Sequence, residues 1–98
     1  MSYPVLICDD SALARKQMAR SLPNWLNADI TFAVNGLEAL ELLERQSFKL
    51  MFLDLTMPVL DGYGTLERIQ QKKFTIDVVV VSGDIQPKAK ERVESLGA

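Results

Sequence analysis

The chain has 98 residues, 48% of them hydrophobic and 24% charged, which describes one folded domain and excludes a disordered or membrane-spanning class. A net charge of −2 and a pI near 5.0 exclude a general nucleic-acid or membrane-surface footprint, and the absence of any His excludes a Ser-His-Asp hydrolase or a phosphohistidine carrier. The lone cysteine, Cys8, cannot form an internal disulfide and sits in an apolar run, so it reads as a small core residue in a reducing compartment. Met1-Ser2-Tyr3-Pro4 lacks the flank of a secretion signal, and no apolar run approaches the roughly 20 residues of a spanning helix, so the expected location is cytoplasmic.

Along the chain, strand-like and helix-like segments alternate. Residues 4–9 read as a strand, and 12–22 as a helix with Ser11 as N-cap and Ala12, Leu13, Met18, Ala19 and Leu22 as its buried stripe. Pro23-Asn24 ends that helix. A second strand covers 29–34 and Asn35-Gly36 makes a turn. The helix over 37–45 follows, with Leu37, Ala39, Leu40 and Leu43 inward. The third strand is 48–54, followed by the loop Thr56-Met57-Pro58-Val59-Leu60-Asp61-Gly62 and a helix over 63–71. The fourth strand, 77–82, carries Val78 to Val81 without a break, and the helix over 86–96 stops at Gly97. Four βα units with short loops predict a parallel sheet with right-handed crossovers, a doubly wound three-layer α/β fold.

The acids give this pattern its meaning. Asp9 and Asp10 follow the first buried strand and Asp54 follows the third. In open parallel sheets ligands bind outside the carboxyl ends of the strands. If those strands are neighbours, three carboxylates crowd one spot, and a cation or a proton must relieve their repulsion. A hard divalent metal fits that need. The competing reading, that Asp9-Asp10 only caps the first helix, asks for two acids where a single Ser or Asp suffices.

The acid pair, Asp54, the Met57-Pro58-x-x-Asp61-Gly62 loop and Ser82-Gly83 after the fourth strand together resemble the receiver domain of two-component response regulators. The resemblance covers nearly the whole chain. It implies a flavodoxin-like fold with strand order 2-1-3-4, continued in the family by a fifth strand and helix. It also implies that Asp54 accepts a phosphoryl group and that Mg²⁺ is held by Asp10, Asp54 and the backbone carbonyl of Thr56, with Asp9 acting through water. Ser82 would donate to the phosphoryl group and turn toward it in the switch, while Gly83 stands where the family more often has Ala. Asp61-Gly62 reads as a turn and cap for the third helix, and Pro58 as a fixed turn. Arg15, Lys16 and Arg20 read as a solvated face that in the family helps dock the phosphodonor.

The family's fifth-strand lysine has no counterpart before Ala98, and Lys88 and Lys90 read as solvated surface. The 98 residues are therefore expected to form a C-terminally incomplete receiver domain within a chain of about 120 residues or more. Were they the whole chain, the exposed fourth strand would be expected to pair with a second copy. The implied partners are a histidine kinase or phosphotransfer protein as donor and a downstream protein or attached output domain as reader, with no nucleic acid or membrane engaged by this chain. Two other functions remain open. One is a haloacid-dehalogenase-like phosphatase with an aspartyl nucleophile, for which Asp54-Leu55-Thr56 lacks the second acid. The other is a receiver-like interaction module that is never phosphorylated.

Overall fold

The four strands are the four apolar runs, and their length follows from where those runs meet polar residues. The computed structural model describes residues 3–55, 60–81, 92 and 94–97. The elements are β1 (Tyr3–Cys8), α1 (Ala12–Ser21), β2 (Ala28–Ala33), α2 (Gly36–Arg45), β3 (Leu50–Leu53), α3 (Gly62–Lys72) and β4 (Asp77–Val80). All strand pairs are parallel and the order is β2-β1-β3-β4, as the resemblance implied. Pairing runs past the ends of β3: Lys49 N–H donates to Pro4 at 2.9 Å and Asp54 N–H to Cys8 at 3.0 Å, which recovers nearly all of the span 48–54. Of the helix expected over 86–96, the residues Arg92, Glu94 and Ser95 are helical and Gly97 takes a positive φ of 92°. The rest of it lies outside the described residues, as do Thr56, Met57, Pro58, Ser82, Gly83, Lys88 and Lys90.

Side-chain alternation divides the sheet into two faces. Leu6, Cys8, Met51 and Leu53 face α2 and α3, where they meet Leu40, Leu43, Leu66 and Ile69 in one buried cluster. On the other face, α1 lies over β1 with Ala14 and Met18 beside Ile7 and Phe52. Three expectations need correction. Leu37 was placed inward but is 41% exposed: the buried stripe of α2 is Gly36, Ala39, Leu40 and Leu43, and Leu37 stands about 100° away from Gly36. Ala12 and Leu13 point outward, Leu13 being 66% exposed, because the inward side of α1 is Ala14, Arg15, Met18, Ala19 and Leu22. Val79 and Val81 are 45% and 39% exposed although the whole Val run reads as covered on both faces. Among the described residues β4 is an edge paired with β3, and α1 sits over β1 rather than over β4.

Helix starts follow the local chemistry closely. Ser11 Oγ accepts from Ala14 N–H at 3.2 Å, Asn35 Oδ1 from Glu38 N–H at 2.8 Å, and Asp61 Oδ1 from Gly64 N–H at 2.8 Å. Glu38 reaches back to Val34 N–H at 3.3 Å, a variant of the reciprocal capping box. The cap at Asp61 bears out its reading as a turn and helix cap. Gly36 does more than turn the chain. Its N–H donates to the Leu60 carbonyl at 3.2 Å, which ties the start of α2 to the loop after β3, and a Cβ there would overlap Thr65 Oγ1 and lie 2.8 Å from the Leu60 carbonyl. We expect Gly36→Ala to lower unfolding free energy by about 1–3 kcal/mol through overpacking, read from urea denaturation. A variant as stable as the parent would show that the loop yields freely there.

Candidate functional site

β1 and β3 are neighbours in register, with Cys8 opposite Leu53, so the next residues of both strands emerge side by side at the carboxyl edge of the sheet. Those residues are Asp9-Asp10 and Asp54. One carboxylate oxygen from each of the three lies within 4.8 Å of the others, with Asp9 and Asp54 half-buried and Asp10 exposed. At 4.8 Å each pair of like charges repels by about 1 kcal/mol in bulk water and about 3–4 kcal/mol at an effective dielectric of 20. Partial burial places this site between those limits.

The chemistry of the donors tests what could sit there. All three are hard oxygens, the ligand type that Mg²⁺ prefers over the nitrogen and sulfur sought by transition metals. Oxygens about 2.1 Å from an octahedral centre are about 3 Å apart when adjacent and about 4.2 Å apart when opposite. A spread of 4.8 Å therefore needs only a small inward movement of side chains to hold one ion, and the residues present fit a divalent cation. The positive end of α1 adds a partial charge beside Asp9 and Asp10, since neither lies within the helix itself.

The turn bearing the acid pair is held at several atoms. Asp9 N–H donates to the Ala33 carbonyl at 3.1 Å, and Asp9 Oδ1 accepts from Ser11 N–H at 2.9 Å. The Asp9 carbonyl accepts from Arg15 Nη1 at 2.8 Å. The carbonyl of Asp54 is approached so closely by Gly62 that a Cβ at that position would overlap it, and Gly62 N–H donates to the Leu55 carbonyl at 3.0 Å. A glycine after Asp61 is thus required by the backbone that carries Asp54. Beside Asp9 and Asp54 an apolar cleft of about 250 Å³ opens between α1 and the sheet, floored by Ile7 and Phe52.

Of the site residues read from sequence, Asp9, Asp10 and Asp54 come together, whereas Thr56 and Ser82 lie outside the described residues. Arg15, expected on a solvated face, is instead half-buried against the acidic turn. Its spacing from Asp9, one helical turn beyond the Ser11 cap, was the available signal.

Comparison with known proteins sets this geometry in a family. The model of the response regulator receiver domain matches residues 5–98. A protein-glutamate methylesterase/protein-glutamine glutaminase of Carboxydothermus hydrogenoformans is 38% identical over 95 residues, covering 96% of this chain and 28% of that protein. The sensor histidine kinase RcsC of Salmonella typhimurium is 31% identical over 88 residues, covering 90% of this chain and 9% of the kinase. The crystal structure of a response regulator receiver protein from Pseudomonas putida superposes with a TM-score of 0.88 at 28% identity, covering all of this chain and 82% of that one. The chain thus spans under a third of the length of both curated relatives.

Cys8 sits directly beneath the acids, at the end of β1. Burial, then the charges of Asp9, Asp54 and Glu38, push its thiol from the usual 9.0 up to about 12, with Arg15 pulling weakly the other way. Its Sγ also lies 3.4 Å from the Asn35 carbonyl. At pH 8 such a thiol carries roughly a thousandth of the thiolate of an ordinary cysteine, so native Cys8 should react with iodoacetamide at least about 100-fold more slowly than the unfolded chain. Equal rates would contradict the burial. The sign for stability follows from proton binding: above 9.0 the unfolded thiol ionises first, so this group lowers stability as pH rises from there towards 12, and has no effect at neutral pH.

Proposed function

Because the chain belongs to the response regulator receiver domain family, we propose that it is a phosphorylation-controlled switch in two-component signalling, in which Asp54 accepts a phosphoryl group from the phosphohistidine of a histidine kinase or phosphotransfer protein. The convergence of Asp9, Asp10 and Asp54 at adjacent strand ends is the observation that carries this reading. A carboxylate oxygen of Asp54 attacks phosphorus in line. As the new O–P bond forms, the P–N bond to the donor imidazole breaks and its electron pair returns to the nitrogen. Bound Mg²⁺ supplies neutralisation of charge on the transferring oxygens.

Asp10 and Asp54, with the Thr56 carbonyl, are the proposed direct ligands, and Asp9 the ligand through water. The Asp9 side chain already accepts from Ser11 N–H at 2.9 Å, which supports an orienting rather than a direct role. Ser82 is proposed to donate to the phosphoryl group, and the changed surface is read by a downstream protein or an attached output domain. A cytoplasmic location fits this chemistry. Among the described residues no helix is long and apolar enough to cross a membrane. The phosphatase reading is weaker, because it needs an acid where the sequence has Thr56. A module that is never phosphorylated leaves the three acids within 4.8 Å of one another without a role.

Acetyl phosphate with Mg²⁺ should add a single phosphoryl group, seen as a mass increase that Asp54→Asn abolishes. Equal labelling of Asp54→Asn would overturn the assignment. By calorimetry Asp10→Asn should weaken Mg²⁺ binding about 10-fold more than Asp9→Asn, since one removes the charge of a proposed direct ligand and the other that of a ligand acting through water. A larger loss at Asp9 would reverse the two roles.

A further inference from the structure

Arg15 occupies an inward position on α1 where an apolar residue would be expected from the helix's other inward members, Ala14, Met18, Ala19 and Leu22. Its guanidinium is engaged on two sides. Nη1 donates to the Asp9 carbonyl at 2.8 Å, and Cζ stands 5.9 Å from the centre of the Phe32 ring on β2, a side chain that is itself 42% exposed. Arg15 therefore bridges from α1 across the acidic turn towards the neighbouring strand. The atom it holds matters. The Asp9 carbonyl belongs to the peptide that joins Asp9 to Asp10, and a planar peptide restrained at its oxygen restrains where the Cα of Asp10 lies.

Asp9 N–H donates to the Ala33 carbonyl at 3.1 Å, before the turn, and Ser11 N–H donates to Asp9 Oδ1 at 2.9 Å, an Asx turn that restrains Asp10 from its C-terminal side. The bond from Arg15 acts on the link to Asp10, whose exposed carboxylate has the least support from packing. Resting on the reading of this site as a Mg²⁺ centre, we propose that Arg15 is a positioning residue: it holds the Asp9–Asp10 peptide so that the Asp10 carboxylate stays within reach of Asp54, and it thereby raises the affinity of the site for a divalent cation. The charge of Arg15 works against its position. A guanidinium near the site opposes cation binding, so the two roles predict opposite signs on removal. Loss of outer partners of metal ligands commonly weakens metal binding by about 10–100-fold, and the half-buried bond at 2.8 Å outweighs a charge that water partly screens.

The test titrates the metal-free chain and its Arg15→Met and Arg15→Lys variants with Mg²⁺ by calorimetry, with the urea unfolding midpoint of each measured without metal. Arg15→Met should bind Mg²⁺ about 10-fold more weakly even though a positive charge has been removed. Arg15→Lys, which keeps a charged donor on a shorter stem, should fall between Arg15→Met and the parent. Phe32→Leu, which removes the ring from the guanidinium and leaves the Asp9 bond, should cost at most about threefold. Unchanged or tighter binding by Arg15→Met overturns the proposal, because charge would then dominate position. So does a Lys variant as weak as the Met variant, or a drop in the metal-free midpoint with no change in affinity, which marks a merely structural contact. A parent chain that binds no Mg²⁺ is a separate outcome that removes the metal-centre reading and this inference with it.

Discussion

The parallel pairing of β1 with β3 is the constraint on which the site depends. Cys8 stands opposite Leu53, so the chain has no freedom to separate Asp9-Asp10 from Asp54 once the two strands are in register. Register in turn is set by packing, because Leu6, Cys8, Met51 and Leu53 all point into one buried cluster and a slip of either strand by one residue would turn its own pair of them to the opposite face. Burial of apolar side chains thus enforces a juxtaposition of like charges that the acids themselves oppose. Like charges held this close repel one another, and a divalent cation of the kind proposed for this site would offset that repulsion.

Around that constraint the structure narrows the freedom of the two loops that carry the acids. The turn after β1 is held by Ala33, Ser11 and Arg15, so that three bonds from three parts of the chain meet on Asp9. The loop after β3 is held from the far side, where Gly62 lies against the Asp54 carbonyl and the Leu60 carbonyl accepts from Gly36 N–H. Thr65, fully buried, closes this contact by donating from Oγ1 to the Asp61 carbonyl at 2.7 Å. The start of α2, the start of α3 and the end of β3 therefore form one braced unit beneath Asp54.

The fold class was legible because each strand is a short apolar run and each helix begins with a capping residue. Ser11, Asn35 and Asp61 all occupy N-cap positions in the structure. The convergence of Asp9, Asp10 and Asp54 was legible once the family's strand order placed β1 beside β3; periodicity alone does not order strands. The facing of helices was less legible. Leu13 and Leu37 are apolar and were placed inward, yet each stands about one residue off the stripe that packs, where a half-covered helix tolerates it. Arg15 failed for the opposite reason: a charged residue inside a helix reads as solvated, and only the position of the Asp9 carbonyl explains why this one turns inward. Gly36 and Gly62 read as turn residues, whereas their importance lies in contacts with Thr65, Leu60 and Asp54 that are distant in sequence.

If strand pairing holds three carboxylates together against their own repulsion and a divalent cation relieves it, Mg²⁺ must stabilise the fold, and urea denaturation of the chain with and without Mg²⁺ tests this most directly. Mg²⁺ at about 100 times its dissociation constant should raise the unfolding free energy of the parent by about 2.7 kcal/mol, and Asp54→Asn, which weakens both the repulsion and the site, should lose most of that rise. An unfolding free energy that ignores Mg²⁺, or that rises equally in the parent and in Asp54→Asn, would contradict it.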